Sequence, residues 1–266
     1  MLQKINYKNI PIRFDDGGEG LPLVFLHGYL ESLAIWDDFV CPLSEKYRVI
    51  TVDLPGHGET GLVKSTSSME CMAETVKAVL DYVKVDKCVM FGHSMGGYAG
   101  LAFLELYPER LSGFSLFHSK PQPDTPVAVE NRKRSINLIN EGKKELVVNT
   151  DVPNGFASYN LERLAEQVEF AKNIARKTPD KGIVAALNGM MQRPSREKIL
   201  KQTKLPFLFI LGKDDNYLPF EDLYNKTEMP ENGSFLVLEH SGHMGFIEEK
   251  EEALNGIISF LKNIKI

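Results

Sequence analysis

Ser94 in GHSMGG, Asp215 in GKDDNYLP and His243 in SGHMGF are the residues whose types and settings could do chemistry together. A serine hydroxyl is a poor nucleophile near neutral pH, so a base must take its proton and a third group must orient that base. Ser94 is read as the nucleophile, His243 as the base and Asp215 as the orienting acid, in the chain order serine, acid, histidine. Asp214 is the rival acid, with the alternative of a solvated loop carboxylate or helix cap. His240 is the rival base, but it falls at the end of an apolar run, whereas His243 follows a glycine in a loop free to turn inward. Negative charge developing on a substrate oxygen needs fixed donors, and two backbone N–H groups supply them at least cost. Met95, directly after the serine, is one candidate; Tyr29, after the bend at His27 and Gly28, is the other. The His27 ring is expected to bond backbone rather than react.

These residues need elements to carry them. Ser94 follows the apolar run VMF and precedes a helical stretch with Leu101, Ala102 and Phe103, so it sits on a strand-turn-helix junction. Glycines at 92, 96 and 97 let strand and helix approach closely around a serine held in an unfavourable backbone conformation. The bland alternative is a serine that merely caps the helix. Candidate strands cover 2–7, 10–14, 22–27, 47–53, 87–92, 113–118, 206–212 and 234–240. They alternate with helical patterns, which predicts an α/β fold with a mostly parallel eight-stranded sheet flanked by helices. Met69, Met72, Val76, Val79, Leu80 and Val83 recur at helical spacing, and Ser67 with Glu70 reads as a capping box at the start of that helix. Leu254, Ile257, Ile258 and Leu261 mark a closing amphipathic helix.

Residues 120–200 break the alternation. A proline-rich KPQPDTP leads into helical stretches near 130–141, 161–177 and 182–192, which predicts a helical cap inserted into a core made of 1–119 and 201–266. Within it, Arg132, Lys133 and Arg134 form a charge run, read first as a solvated helix face and second as a contact for an anionic substrate or an acidic carrier protein. Phe156, Tyr159 and Phe170 are candidates for an acyl pocket or for packing the cap onto the core.

The 266 residues carry a net charge of −5, without the basic excess that nucleic acid or an anionic membrane requires. A small-molecule partner fits better. Three cysteines in no CxxC pairing argue against a disulfide framework and for a reducing compartment. No run approaches the length of a membrane span and the first residues do not form a signal peptide, so a cytoplasmic location is expected.

With HGYLES, VDLPGHGET, GHSMGG, GKDDNYLP and SGHMGF in that order, the chain resembles the α/β-hydrolase fold family over nearly its whole length. The resemblance implies Ser94, Asp215 and His243 as a catalytic triad and Tyr29 and Met95 as oxyanion-hole amides. It implies a structural turn for Asp53, Gly56, His57 and Gly58, and a capped serine hydrolase acting on an ester or related acyl bond through an acyl-enzyme, with no metal or organic cofactor. A serine at position 94 sets the chain apart from the dehalogenases and epoxide hydrolases of this fold, which place aspartate there. Alternatives within the resemblance are a lyase, synthase or perhydrolase, and a ligand-binding protein with little turnover. The glutamate in HGYLES and the pair His118 and Ser119 depart from the family pattern; pocket-facing and locally satisfied roles are both open to them.

Overall fold

A computed structural model describes residues 2–264. Its eight strands are β1 (Leu2–Tyr7), β2 (Ile10–Gly17), β3 (Pro22–Leu26), β4 (Arg48–Val52), β5 (Cys88–His93), β6 (Leu111–Phe117), β7 (Phe207–Gly212) and β8 (Gly233–Leu238). They form one sheet in the order β1-β2-β4-β3-β5-β6-β7-β8, antiparallel at β1/β2 and β2/β4 and parallel from β4 onward. The second strand runs past residue 14 because its last four residues pair with β4, Phe14 opposite Val52 and Gly17 opposite Val49, while Phe14 and Asp15 also pair with β1. The last strand stops at Leu238, opposite the final residue of β7, so Glu239 and His240 belong to the turn that follows.

The helices are α1 (Asp37–Val40), α2 (Met69–Tyr82), α3 (Met95–Leu106), α4 (Pro126–Asn140), α5 (Lys144–Asn154), α6 (Ala165–Lys177), α7 (Asp180–Gln192), α8 (Glu197–Gln202), α9 (Phe220–Lys226), α10 (Gly245–Glu248) and α11 (Lys250–Leu261). The central strands β5 and β7 are buried along their whole length, which their unbroken apolar sequences require. One face of the sheet packs against α2 and α3 through Met72, Val76, Ala99 and Phe103. The other carries an aromatic layer in which Trp36 lies 4.5 Å from Phe246 and Phe25 stacks on Phe91 at 4.9 Å. The cap of α2 is Ser68, whose hydroxyl accepts from the Cys71 amide, and not Ser67. The Ser67 amide is already committed to Ala185 of α7, so the register of the cap is set by that contact. Between β6 and β7 the chain runs through α4 to α8 without a strand.

Strand order decides where a site can form. From β3 the chain steps to β4 on one side and from β4 to β5 on the other, so the loops leaving the carboxyl ends of β3 and β5 diverge and open a crevice at that reversal. The His27–Ser32 loop follows β3 and Ser94 follows β5.

Candidate active site

Ser94 has φ 48° and ψ −112°, a conformation that a residue with a Cβ adopts at a cost of roughly 1–3 kcal/mol. The surroundings hold it there: its N–H donates to the Phe117 carbonyl at 3.0 Å, and its own carbonyl accepts from the Gly97 N–H at 2.9 Å and the Ser119 hydroxyl at 2.7 Å. A Cβ at Gly92 would lie 2.5 Å from the Gly96 carbonyl oxygen, one at Gly96 would run into the Leu26 carbonyl, and one at Gly97 into the Ser119 hydroxyl. The glycines are therefore what allows α3 to begin against β3 and β5. The Ser94 side chain makes no hydrogen bond as a helix cap, which removes the bland reading of it.

Asp215 lies in the turn after β7. Its Oδ1 accepts from the N–H groups of Tyr217 (2.8 Å) and Leu218 (2.9 Å), and its Oδ2 lies 2.7 Å from Nδ1 of His243. A carboxylate only accepts, so the proton sits on Nδ1 and Nε2 is left with the lone pair, the state a general base needs. Burial by itself would depress the His243 pKa, but the charge and hydrogen bond of Asp215, with smaller contributions from Glu31 and Glu248, leave it raised. Asp214 turns the other way and accepts from the Tyr159 hydroxyl at 2.6 Å, while His240 is exposed.

The His243 loop is fastened from three directions. The His243 N–H donates to the Gly155 carbonyl at 2.7 Å. Buried Glu248 accepts from the amides of Gly242, Met244 and Ala157 and from the Asn160 side chain, joining this loop to the start of the segment after α5. The His243 carbonyl faces Nε2 of His93 at 2.9 Å, and Nδ1 of His93 faces Oε2 of Glu31 at 3.1 Å. A carbonyl cannot donate, so Nε2 of His93 does. Burial works against charge on Glu31, yet the His93 charge and hydrogen bond and the Gly28 amide outweigh it and lower its pKa. His93 thus bridges Glu31 and the His243 carbonyl. The glutamate of HGYLES is thus satisfied locally while it also lines the cavity.

His118, at φ 44°, is fully buried, and burial pushes its pKa well below the usual range. The amides of Gly212 and Gly245 approach its two ring nitrogens at 3.1 and 3.2 Å, and a neutral ring accepts at one of them only. Asp215, 3.7 Å from Nδ1, favours the proton there. His27 bonds backbone on both sides, its Nδ1 to the Gly28 carbonyl and its Nε2 accepting from the Leu54 amide. Asp53 ties down the neighbouring turn by accepting from the Leu33 and Glu59 amides, so the VDLPGHGE stretch is structural.

Ser94, His243, Tyr29, Glu31 and His93 line one cavity of about 670 Å³, a volume suited to a small-molecule ligand. Asp215 stands behind His243, and Met95 opens α3 directly after Ser94. Among the described residues no hydrogen bond joins the Ser94 hydroxyl to the His243 ring, and none engages the N–H of Tyr29 or Met95. The apolar wall comes from Leu30, Leu138, Leu146, Val147, Leu187 and Met190. Phe156, Tyr159 and Phe170 are not part of it: Phe156 is buried against the aromatic layer and the other two are exposed. The charge run divides. Lys133 is solvated beside Glu130, Arg134 is exposed at the cavity rim, and Arg132 departs from the solvated-face expectation by turning inward to Asp124. Sequence reading passed over the acidic partner of this inner arginine, Asp124, and the His93–Glu31 link; a histidine beside the serine and a glutamate in the β3 loop were the only signals.

Among the described residues no cluster of histidine, cysteine, aspartate or glutamate is placed to hold a metal ion. No described helix is long and apolar enough to cross a membrane.

Residues 22–250 match the alpha/beta hydrolase fold family, and the chain belongs to it. The chain is similar to a thermophilic esterase from Thermogutta terrifontis, solved with malate bound, at TM-score 0.94 and 27% identity over 100% of both chains. It is 28% identical to a 2-hydroxy-6-oxononadienedioate/2-hydroxy-6-oxononatrienedioate hydrolase of Paraburkholderia phymatum, over 94% of this chain and 90% of that one. It is 30% identical to the dihydrolipoyllysine-residue acetyltransferase component of an acetoin cleaving system of Pseudomonas putida, over 94% of this chain but only 66% of that protein's length. The protein is an α/β-fold hydrolase, similar to an esterase and to a 2-hydroxy-6-oxononadienedioate/2-hydroxy-6-oxononatrienedioate hydrolase.

Proposed function

We propose that the protein is a serine hydrolase that cleaves an ester of a small carboxylic acid through an acyl-enzyme. Substrate enters between the sheet and the helices of residues 120–200, which act as a cap on a core of 1–119 and 201–266. Nε2 of His243 takes the Ser94 proton as Oγ attacks the carbonyl, Asp215 holds the imidazole and stabilises its charge, and the amides of Tyr29 and Met95 receive the oxyanion. His243 then protonates the departing alcohol and activates water to release the acid. The scheme uses no metal or organic cofactor. Three unpaired thiols fit a reducing compartment, and we place the protein in the cytoplasm.

The observation that carries this reading is the Asp215–His243 hydrogen bond, which leaves an unprotonated Nε2 on the wall of the cavity that also holds the strained Ser94. Hydrogen bonds between nucleophile and base commonly tighten only with substrate in place, so the open serine is compatible with it. Ester rather than carbon–carbon cleavage is favoured by the likeness to the Thermogutta esterase, which covers the whole chain. Carbon–carbon hydrolysis is the second reading, supported by the dioate hydrolase relative. Hydrolysis of p-nitrophenyl acyl esters by wild type and by Ser94→Ala separates reading from fact: loss of roughly 10⁴ in kcat supports the scheme, and retained turnover contradicts it.

A further inference from the structure

The cavity has a cationic end that the proposed chemistry does not use. Arg132 of α4 places Nε and Nη2 on the two oxygens of Asp124 at 2.6 and 3.2 Å. Arg193 donates from Nη1 to the same carboxylate at 2.7 Å, with its guanidinium 3.8 Å over the Tyr98 ring. Two guanidinium groups thus share one buried carboxylate, and Lys120 lines the same wall. No hydrogen bond among the described residues uses Nη1 of Arg132, and the exposure that remains to this side chain, 19%, belongs to a residue of the cavity lining. Beside it the Tyr29 hydroxyl is buried without a partner. A buried O–H in that state calls for an acceptor, and Asp151 and Arg132 both lie within electrostatic range of it.

Three acidic groups line the cavity as well. Glu31 is paired with His93, and Asp124 is the carboxylate already shared by the two arginines. Asp151 is the remaining one, and burial pushes its pKa up to about 6.

We propose that Arg132 and the Tyr29 hydroxyl form a subsite for a carboxylate of the substrate, so that the preferred substrates are short esters bearing a free carboxylate. The placement rests on the serine-hydrolase reading, which puts the Tyr29 N–H at the scissile carbonyl and its hydroxyl one side-chain length away. A half-ester of a short dicarboxylic acid such as succinate carries both groups. Guanidinium and phenol together supply charge and two donors to such a group, and a neutral ester end accepts from them without charge assistance.

Binding of monomethyl succinate and dimethyl succinate to the Ser94→Ala protein, measured by calorimetry, tests this without turnover. The half-ester is expected to bind at least tenfold more tightly, the effect of one charge-assisted hydrogen bond. In Ser94→Ala/Arg132→Gln the preference should fall to within about twofold, and in Ser94→Ala/Tyr29→Phe it should fall severalfold while the Asp124 pairing stays intact. Equal binding of the two esters, or a preference that survives both second substitutions, overturns the subsite. Failure of the hydrolase reading would show separately, as wild-type protein that binds these esters and never releases methanol.

Discussion

Glu31→Gln keeps the shape of the group that faces His93 and removes its charge. Oε2 of Glu31 takes a hydrogen bond from Nδ1 of His93 and another from the Gly28 amide, both inside the protein. Charge-assisted bonds contribute about 1.5–3 kcal/mol each and neutral ones about 0.5–1.5, so exchanging two of them should cost about 1–3 kcal/mol of stability at pH 7. Glutamate at this site has a lowered pKa in the fold, so its contribution is present above the unfolded value near 4.3 and is lost as pH falls through the folded value. The deficit of the variant, read by chemical denaturation, should therefore be full at pH 7 and shrink towards pH 3. The same change weakens the contact that orients His93 and so relaxes its hold on the His243 carbonyl. A misplacement of about 1 Å costs on the order of 10²-fold, so kcat on a neutral ester should drop roughly 10- to 100-fold with KM changed much less. A variant as stable as wild type at pH 7, with unchanged kcat, would refute the Glu31–His93 clamp.

The dependence of kcat/KM on pH should show an acid limb with its midpoint above the ordinary histidine value near 6.5, because Asp215 raises the His243 pKa. Asp215→Asn should lower kcat by roughly 10³–10⁴ and move that limb to lower pH, and an unmoved limb would assign it to another group. Burial raises the folded pKa of Asp151 from 3.8 to about 6, so keeping it ionised above that pH costs stability. Asp151→Asn should then stabilise the protein at pH 8 by at most about 3 kcal/mol and leave it unchanged below pH 3.5, as thermal denaturation at the two pH values would read. Gly96→Ala places a methyl group against the Leu26 carbonyl, which is main chain and cannot swing aside. It should cost about 1–3 kcal/mol or more and disturb the start of α3, visible as loss of both melting temperature and ester hydrolysis.

The strands were legible because burial on both faces of a parallel sheet leaves continuous apolar runs, as in VMF and FLFIL, and turn residues mark where they end. Helix α5 was not, since KELVVNTDVPN joins β-branched and turn-forming residues to a proline near its end, and only packing against α6 and α4 decides for helix. The capping residue slipped by one position for a similar reason: Ser67 and Ser68 are equivalent on paper, and a contact with α7, over a hundred residues away, selects between them. Positions of the candidate triad residues could be read from strand ends, because loops at the carboxyl edge of the sheet are where such groups converge. The Glu31–His93 pair links positions 62 apart and the hold on His243 spans a further 150, and no local pattern encodes either. Arg132 illustrates the limit most directly, because a helical charge run does not say which member faces Asp124 and which faces water.

Mass spectrometry of the intact protein during slow turnover of a p-nitrophenyl ester, followed by peptide mapping, tests the central claim most directly. The account predicts a transient gain of one acyl group, carried by the peptide containing Ser94 and absent from Ser94→Ala. Turnover with no adduct on trapping, or an adduct at another residue with Ser94→Ala still active, would contradict it.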